Sequence, residues 1–370
     1  GLNNFENSEL DRLKIYLTNS LEEDHPEENL DFAKFITDES NAANIIKRDT
    51  PVMVVVGNPP YNEKSANKGE WITNLMNDYK QEPGQERTLV KRLRNGKCIY
   101  KNTLKGGNSK GLNNDYCKFI RLGQNFVGKN NEGILAYITA NTYLDSRLFR
   151  GMRYNLLKSF DKIYLINLHG STMRRESTED IVDQCIFNIR QGVSIAIFIK
   201  KKNSNTNELA QVFYKDIYGK RNIKLNYLSG HSFDDVNFSK IEPNPPLYTF
   251  RITDSELKKQ YESGFKINEL INRYVQGFKS ERDSIAIQFE KTNIVDIVTA
   301  MRSNKTNEEL CNHYGFKNNR DWSLERARDL AKKRKQWSNY FTEVQYRPFD
   351  KRWTYFDKAL ITYPRPLVQS

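Results

Sequence analysis

The apolar residues of this chain fall into short unbroken runs separated by stretches at helical spacing. Leu30, Phe32, Phe35, Ile36, Ala43, Ile45 and Ile46 follow a helical period over 28–47. They lead into residues 51–57, a charge-free, valine-rich run that predicts a buried strand of a parallel sheet. A shorter strand is predicted at Ile15, Tyr16 and Leu17. Tyr116, Phe119, Ile120, Gly123 and Phe126 predict a helix over 115–127, followed by a strand over 133–139. A helix over 147–158 and a strand over 162–168 come next, then a hairpin of 184–189 with 193–199 turned at Arg190, Gln191 and Gly192. Alternating helices and strands with an antiparallel ending predict an α/β fold: a mostly parallel, Rossmann-like sheet with an antiparallel edge. Near residue 240 the periodic pattern gives way to shorter mixed segments, entered through Pro243, Pro245 and Pro246. The expected division is 1–240 and 241–370, the second part mixed α+β.

Composition narrows the class. The chain has 370 residues, enough for two domains, and a mean hydropathy of −0.76. Its 20 Tyr, 20 Phe and 4 Trp exclude wholesale disorder. A net charge of +12 favours a polyanionic partner. Half of that excess sits in 62–112, where eleven Lys and Arg face five acids. That stretch reads either as a loop that closes over phosphates or as a solvated insertion. Residues 322–337 predict a charged helix, either solvated, with Asp321, Glu325 and Asp329 pairing its arginines, or in contact with a polyanion. Cys98, Cys117, Cys185 and Cys311 are scattered without a CxxC, and the four histidines form no HxxxH, so reduced thiols and no metal site are expected. His169, beside Gly170, reads as a turn residue. With no signal peptide and no long apolar run, the expected location is cytoplasmic and no membrane contact is expected.

The predicted strand at 51–57 runs directly into Asn58-Pro59-Pro60-Tyr61. Two prolines stop a strand, because neither donates to a ladder and each restricts the residue before it. The resulting stiff loop lies at a strand's carboxyl end, where open α/β sheets place ligands. An amide, free carbonyls and an aromatic ring on that loop suit a planar, amino-bearing base.

This strand and tetrapeptide resemble the catalytic motif of amino-methyltransferases, above all the DNA adenine-N6 enzymes that use S-adenosylmethionine. The resemblance implies that the Asn58 side chain and the Pro59 carbonyl accept hydrogen bonds from the target amino group, with Pro60 stiffening the loop and Tyr61 stacking on a flipped base. Asn114, Asp115, Tyr116, Lys118 and Phe119 resemble the helix after the catalytic loop, and the 184–199 hairpin resembles the element whose ring, here Phe187, meets the base edge. Residues 13–22, 149–153, 168–170 and Tyr346-Arg347-Pro348-Phe349-Asp350 together resemble the type ISP (single-chain type I-like) restriction–modification enzymes. In that family a nuclease and a helicase precede the methyltransferase in one polypeptide, and a target-recognition (specificity) domain follows it. No helicase P-loop occurs in this chain.

The resemblance implies double-stranded DNA as partner, with Lys332, Lys333, Arg334, Arg347 and Arg352 as DNA-contacting candidates. It also implies a Gly-rich cofactor loop ahead of residue 13, which this sequence lacks. The chain is therefore expected to be a fragment with an incomplete S-adenosylmethionine site, its ribose side represented by Glu22 and Asn19, and with the recognition domain truncated as well. Two other functions share these features: a DNA-binding specificity module without activity alone, and methylation of a protein glutamine amide.

Overall fold

The computed structural model describes residues 15–16, 18–22, 34–62, 65–93, 98–104, 109–174, 182–203, 208–271, 273 and 275–365. The chain forms two compact units, Gly1–Asp254 and Ser255–Ser370. The division falls beyond residue 240 because the proline-rich segment and its sequel belong to the first unit. Phe250 is fully buried there, its amide bonded to the Leu144 carbonyl at 2.7 Å. The buried Arg153 guanidinium donates to the carbonyls of Leu247 and Tyr248.

In chain order the first unit contains α1 (Lys34–Asp49), β1 (Val54–Gly57), α2 (Glu70–Leu75), β2 (Leu89–Arg92), β3 (Cys98–Tyr100), α3 (Asp115–Asn130), β4 (Gly133–Ala140), α4 (Arg150–Ser159), β5 (Lys162–Asn167), β6 (Val193–Lys200), β7 (Gln211–Asp216), α5 (Arg221–Gly230) and β8 (Ser239–Ile241). Six strands form one sheet in the order β1-β4-β6-β5-β7-β8. β1 is parallel to β4 and β5 to β7, while β6 runs against both β4 and β5, and β8 against β7. The expected mostly parallel sheet is present; the reversed strand expected at its edge, β6, lies in the interior, and a further reversed strand, β8, forms the edge. Leu135, Tyr137, Ile163, Leu165, Phe198 and Val212 bury the sheet against Tyr116, Ile120 and Val127 of α3 and Met152 and Leu156 of α4. Asn131, in the left-handed region at φ 58°, ends α3.

Three sequence expectations change. No strand forms over 184–189, because both edges of β6 are taken by β4 and β5. β1 is parallel as expected but not buried: it ends the sheet, and Val54 and Val56 are 58% and 73% exposed. Ile15 and Tyr16 are not in a strand, and Leu17 lies outside the described residues. The basic 62–112 stretch is partly anchored. Asp78 pairs with Arg87 and, at 2.6 Å, with Arg121 of α3, and Glu82 bonds Arg150 of α4 at 2.7 Å. These pins leave the two-stranded β2–β3 ribbon with Leu89, Val90 and Ile99 exposed. Gly106, Gly107 and Asn108 lie outside the described residues.

The second unit contains α6 (Ser255–Glu262), α7 (Ile267–Leu270), α8 (Asp283–Ala286), β9 (Ile287–Gln288), α9 (Lys291–Arg302), α10 (Asn307–Tyr314), α11 (Leu324–Lys333), β10 (Phe341–Arg347) and β11 (Asp350–Tyr355). β11 lies between β10 and β9 in an antiparallel sheet. Its core joins Ile294, Ile297 and Met301 of α9 to Ala327 and Ala331 of α11, Trp322 and Tyr355. Among the described residues no helix is long and apolar enough to cross a membrane.

Candidate functional site

Because β1, β4, β5 and β7 point the same way, their carboxyl ends share one edge of the sheet. Asn58, Pro59, Pro60 and Tyr61 follow β1 at that edge. A side chain at Gly57 would stand 3.2 Å from the Tyr137 ring, so glycine lets the chain pass closely over β4 before the loop begins. Pro59 is buried and anchors the loop, while Asn58 and Pro60 are exposed.

The half-buried Tyr61 hydroxyl has two acceptors in reach, Asn58 Oδ1 at 3.0 Å and the Ile138 carbonyl at 3.2 Å. Burial pushes this phenol well above its ordinary range, so it is a neutral donor at any working pH. Its ring lies 6.2 Å from that of Phe187, tilted by 55°. The structure thus brings together Asn58, Tyr61 and Phe187, although Phe187 rides on an irregular segment rather than on a hairpin strand.

That segment is held from α5. Arg221 donates to the carbonyls of Cys185 and Phe187 and to Asn188 Oδ1. Lys224, fully buried, donates to the carbonyls of Leu168 and Gln184 and pairs with Asp183 at 2.7 Å. Neither residue stood out in the sequence, where both look like ordinary helix-surface cations.

Behind the loop opens a cleft of about 530 Å³. Its walls include Ile46 of α1, Phe119 and Phe126 of α3, and Tyr137; Thr18, Ser20 and Lys47 supply a polar side, and Asn58, Pro59 and Pro60 complete the lining. Lys47 donates to Thr18 Oγ1 at 3.0 Å and to the Asn19 carbonyl at 2.9 Å, tying the 18–22 segment to α1. Asn19 Nδ2 donates to Glu22 Oε1 and to Asn67 Oδ1, and Asn67 donates to Asp115 Oδ1 at 3.1 Å. Lys118, buried in α3, donates to Ser65 Oγ at 2.7 Å, and burial lowers its pKa. Asn19 and Glu22 therefore connect, through Asn67, to the loop that leaves the Asn58–Tyr61 turn. Apolar walls with one polar side give the cleft the character of a small-molecule pocket.

The same edge carries a buried polar cluster beyond β4. His169, expected in a turn, lies in irregular backbone just after β5, fully buried at φ 49°, and bonds Asp216 Oδ1 through Nε2 at 2.6 Å. Its ring stacks on Tyr218 at 3.9 Å between centroids. Asn141, Asn167 and Tyr214 extend the network from the ends of β4, β5 and β7.

In the second unit the cationic candidates separate into two kinds. Lys332 and Lys333, at the end of α11, and Arg347, at the end of β10, are exposed. Arg334 is committed to Asp357 at 2.8 Å, and Arg352 to Asp350 at 2.9 Å. The arginines of the charged helix serve the fold as well: Arg328 donates to the carbonyls of Met301 and Ser303 at the end of α9. Asp321 pairs with Arg320, outside α11, at 2.8 Å.

Residues 2–173 match the Eco57I restriction-modification methylase family, and residues 269–370 match the Type ISP C-terminal specificity domain. Among solved structures the chain is similar to the ATP-dependent Type ISP restriction-modification enzyme LlaBIII bound to DNA (22% identity, TM-score 0.56). The match covers 94% of this chain and 23% of that one. It is also similar to a nuclease-deletion mutant of the Type ISP restriction-modification enzyme LlaGI in complex with a DNA substrate mimic (21%, TM-score 0.53), covering 89% of this chain and 32% of that one. A third, DrdV in complex with DNA, is 18% identical with TM-score 0.52, over 88% of this chain and 32% of that one. The chain thus spans a third or less of each of these proteins. No curated protein matches it. Two family models thus match separate parts of the chain, the Eco57I restriction-modification methylase over residues 2–173 and the Type ISP C-terminal specificity domain over residues 269–370.

Proposed function

We propose that this chain carries the catalytic loop and the target-recognition unit of a DNA methyltransferase that modifies adenine at N6 with S-adenosylmethionine. The observation that carries the reading is the placement of Asn58, Pro59 and Tyr61 at the carboxyl end of β1, beside a cleft suited to an adenosyl group. Ile46, Phe119 and Phe126 would hold the adenine of the cofactor, with the polar side formed by Thr18, Ser20 and Lys47 near its sugar. When bound, S-adenosylmethionine supplies an electrophilic methyl carbon.

The amino nitrogen of adenine is a weak nucleophile because its lone pair is delocalised into the ring. Asn58 Oδ1 and the Pro59 carbonyl, accepting its two N–H groups, favour the geometry in which that lone pair is released. Tyr61 has one hydroxyl proton for two acceptors. If it donates to the Ile138 carbonyl and accepts from the Asn58 amide NH2, the Asn58 oxygen turns to the base. The Tyr61 ring offers a stacking face, worth about 1–3 kcal/mol per base, and Phe187 meets the edge of the base. Positioning supplies most of the remaining acceleration.

The test is transfer of labelled methyl from S-adenosylmethionine to unmethylated duplex, with Asn58→Ala as the control. Loss of transfer with duplex binding unchanged supports the assignment, and turnover at the wild-type rate by Asn58→Ala sinks it. A second reading, a recognition module inactive by itself, is favoured by the exposure of Val54 and Val56 on the outermost strand. It predicts duplex binding without cofactor binding. Methylation of protein glutamine, the other chemistry compatible with the loop, leaves the specificity-domain match at 269–370 without a role.

A further inference from the structure

The hairpin between β10 and β11 ends in Pro348 and Phe349, and Phe349 is fully exposed, at 104% of its reference area. Its backbone lies at φ 65°, a left-handed conformation that is an outlier for a bulky side chain. Glycine or asparagine makes such a turn without strain and without presenting a ring to water. Among the described residues of the second unit nothing covers this ring, so the reason for it lies outside the fold.

Its surroundings indicate which partner. From Arg347 to Arg352 the tip holds three cations and one acid, and that acid, Asp350, is closed onto Arg352 at 2.9 Å. Arg347 and Lys351, on either side of the turn, are exposed. Behind the tip the hairpin is braced: the Arg352 guanidinium lies 4.0 Å from the Phe289 ring and 4.4 Å from the Tyr346 ring. The Tyr346 hydroxyl is tied to Asp283 at 3.1 Å. Pro348 removes a further backbone freedom at the turn. The outcome is a stiff projection that ends in an aromatic ring flanked by two cations.

We propose that Phe349 is a wedge that enters between stacked base pairs of double-stranded DNA, with Arg347 and Lys351 on the phosphates to either side. This assignment rests on the reading of the second unit as a DNA-recognition domain. Apolar wedges of this kind unstack one base step and kink the duplex, and the bend brings more of the flanking surface into contact. Phe349 would act through shape and stacking rather than base-edge hydrogen bonds, so it contributes affinity and bending at deformable steps.

The experiment compares the whole chain with its Phe349→Ala and Phe349→Leu variants, using an end-labelled random-sequence duplex at fixed salt. Anisotropy reads affinity, and energy transfer between the duplex ends reads bending. Phe349→Ala is expected to bind about 5- to 150-fold more weakly, the range for loss of one stacked aromatic, and to lose the bend. Phe349→Leu, still an apolar wedge, is expected to keep the bend. Because the ring is fully exposed, all three proteins should melt together. Phe349→Ala binding and bending DNA like wild type overturns the wedge alone. Wild-type chain that binds no duplex overturns the DNA reading and the wedge with it.

Discussion

Lys224 of α5 and Asp183 of the segment before β6 form an ion pair at 2.7 Å with neither side chain exposed. The pair is fully bonded: Asp183 also accepts from the amides of Gly170 and Gly219, and Lys224 donates to the carbonyls of Leu168 and Gln184. Removing one partner leaves a buried charge uncompensated, which costs about 3–5 kcal/mol. Lys224→Met should therefore lower the urea midpoint of the first unit strongly. The double variant Lys224→Met/Asp183→Asn should lose clearly less than the two single losses added together. Additive losses would show that the two charges do not depend on each other.

Tyr61→Phe keeps the ring and removes the hydroxyl that reaches Asn58 and Ile138. If the hydroxyl orients the Asn58 amide, this variant should lose about tenfold in methyl-transfer kcat, matching roughly 1.4 kcal/mol for one net hydrogen bond. Its duplex affinity should stay near wild type, since the stacking face remains. A fall in affinity with kcat intact would place the hydroxyl in binding instead.

Much of the first unit was legible because α3, β4, β5 and β6 carry strong periods, and the Asn58–Tyr61 loop follows from the strand and the prolines alone. What stayed hidden depends on neighbours distant in sequence. A valine run reads the same on an inner strand as on an outermost one, so the exposure of Val54 and Val56 was not visible. The short apolar run at 184–189 reads like a strand, yet the places beside β6 belong to β4 and β5. Charge pattern could not show that Arg334 answers Asp357 or that Arg328 closes the end of α9. Lys224 and Arg221 looked like surface cations because their partners lie more than thirty residues earlier.

Arg221 offers a test of how the Phe187 segment is held. Its guanidinium bonds the Cys185 and Phe187 carbonyls and Asn188 Oδ1 from outside the Tyr61–Phe187 pair. Arg221→Ala should free the Phe187 ring and raise KM for duplex several-fold, with a smaller change in kcat. In an adenine-to-2-aminopurine substrate, the emission of the flipped base should rise as the ring at its edge loosens. Arg221→Lys should restore part of the KM. Unchanged KM and emission in Arg221→Ala would mean that Lys224 and Asp183 hold the segment unaided.

The Asp216 carboxylate sets a pH dependence with a definite sign. Burial alone would raise its pKa, but hydrogen bonds from His169 and Tyr214, with His169 and Arg251 as nearby charges, hold it below the ordinary value of 3.8. The folded state therefore binds its proton less readily than the unfolded chain does. Its stabilising contribution is complete above about pH 4 and is lost as pH falls toward the folded value. Asp145, lowered by Arg174 and Arg251, acts in the same direction. Asp216→Asn should lower stability, and the gap to wild type should narrow steadily as pH falls below 4. Urea unfolding at each pH reads the difference. A gap that widens on acidification would mean that the carboxylate is protonated in the folded protein and that the His169 contact is not ionic.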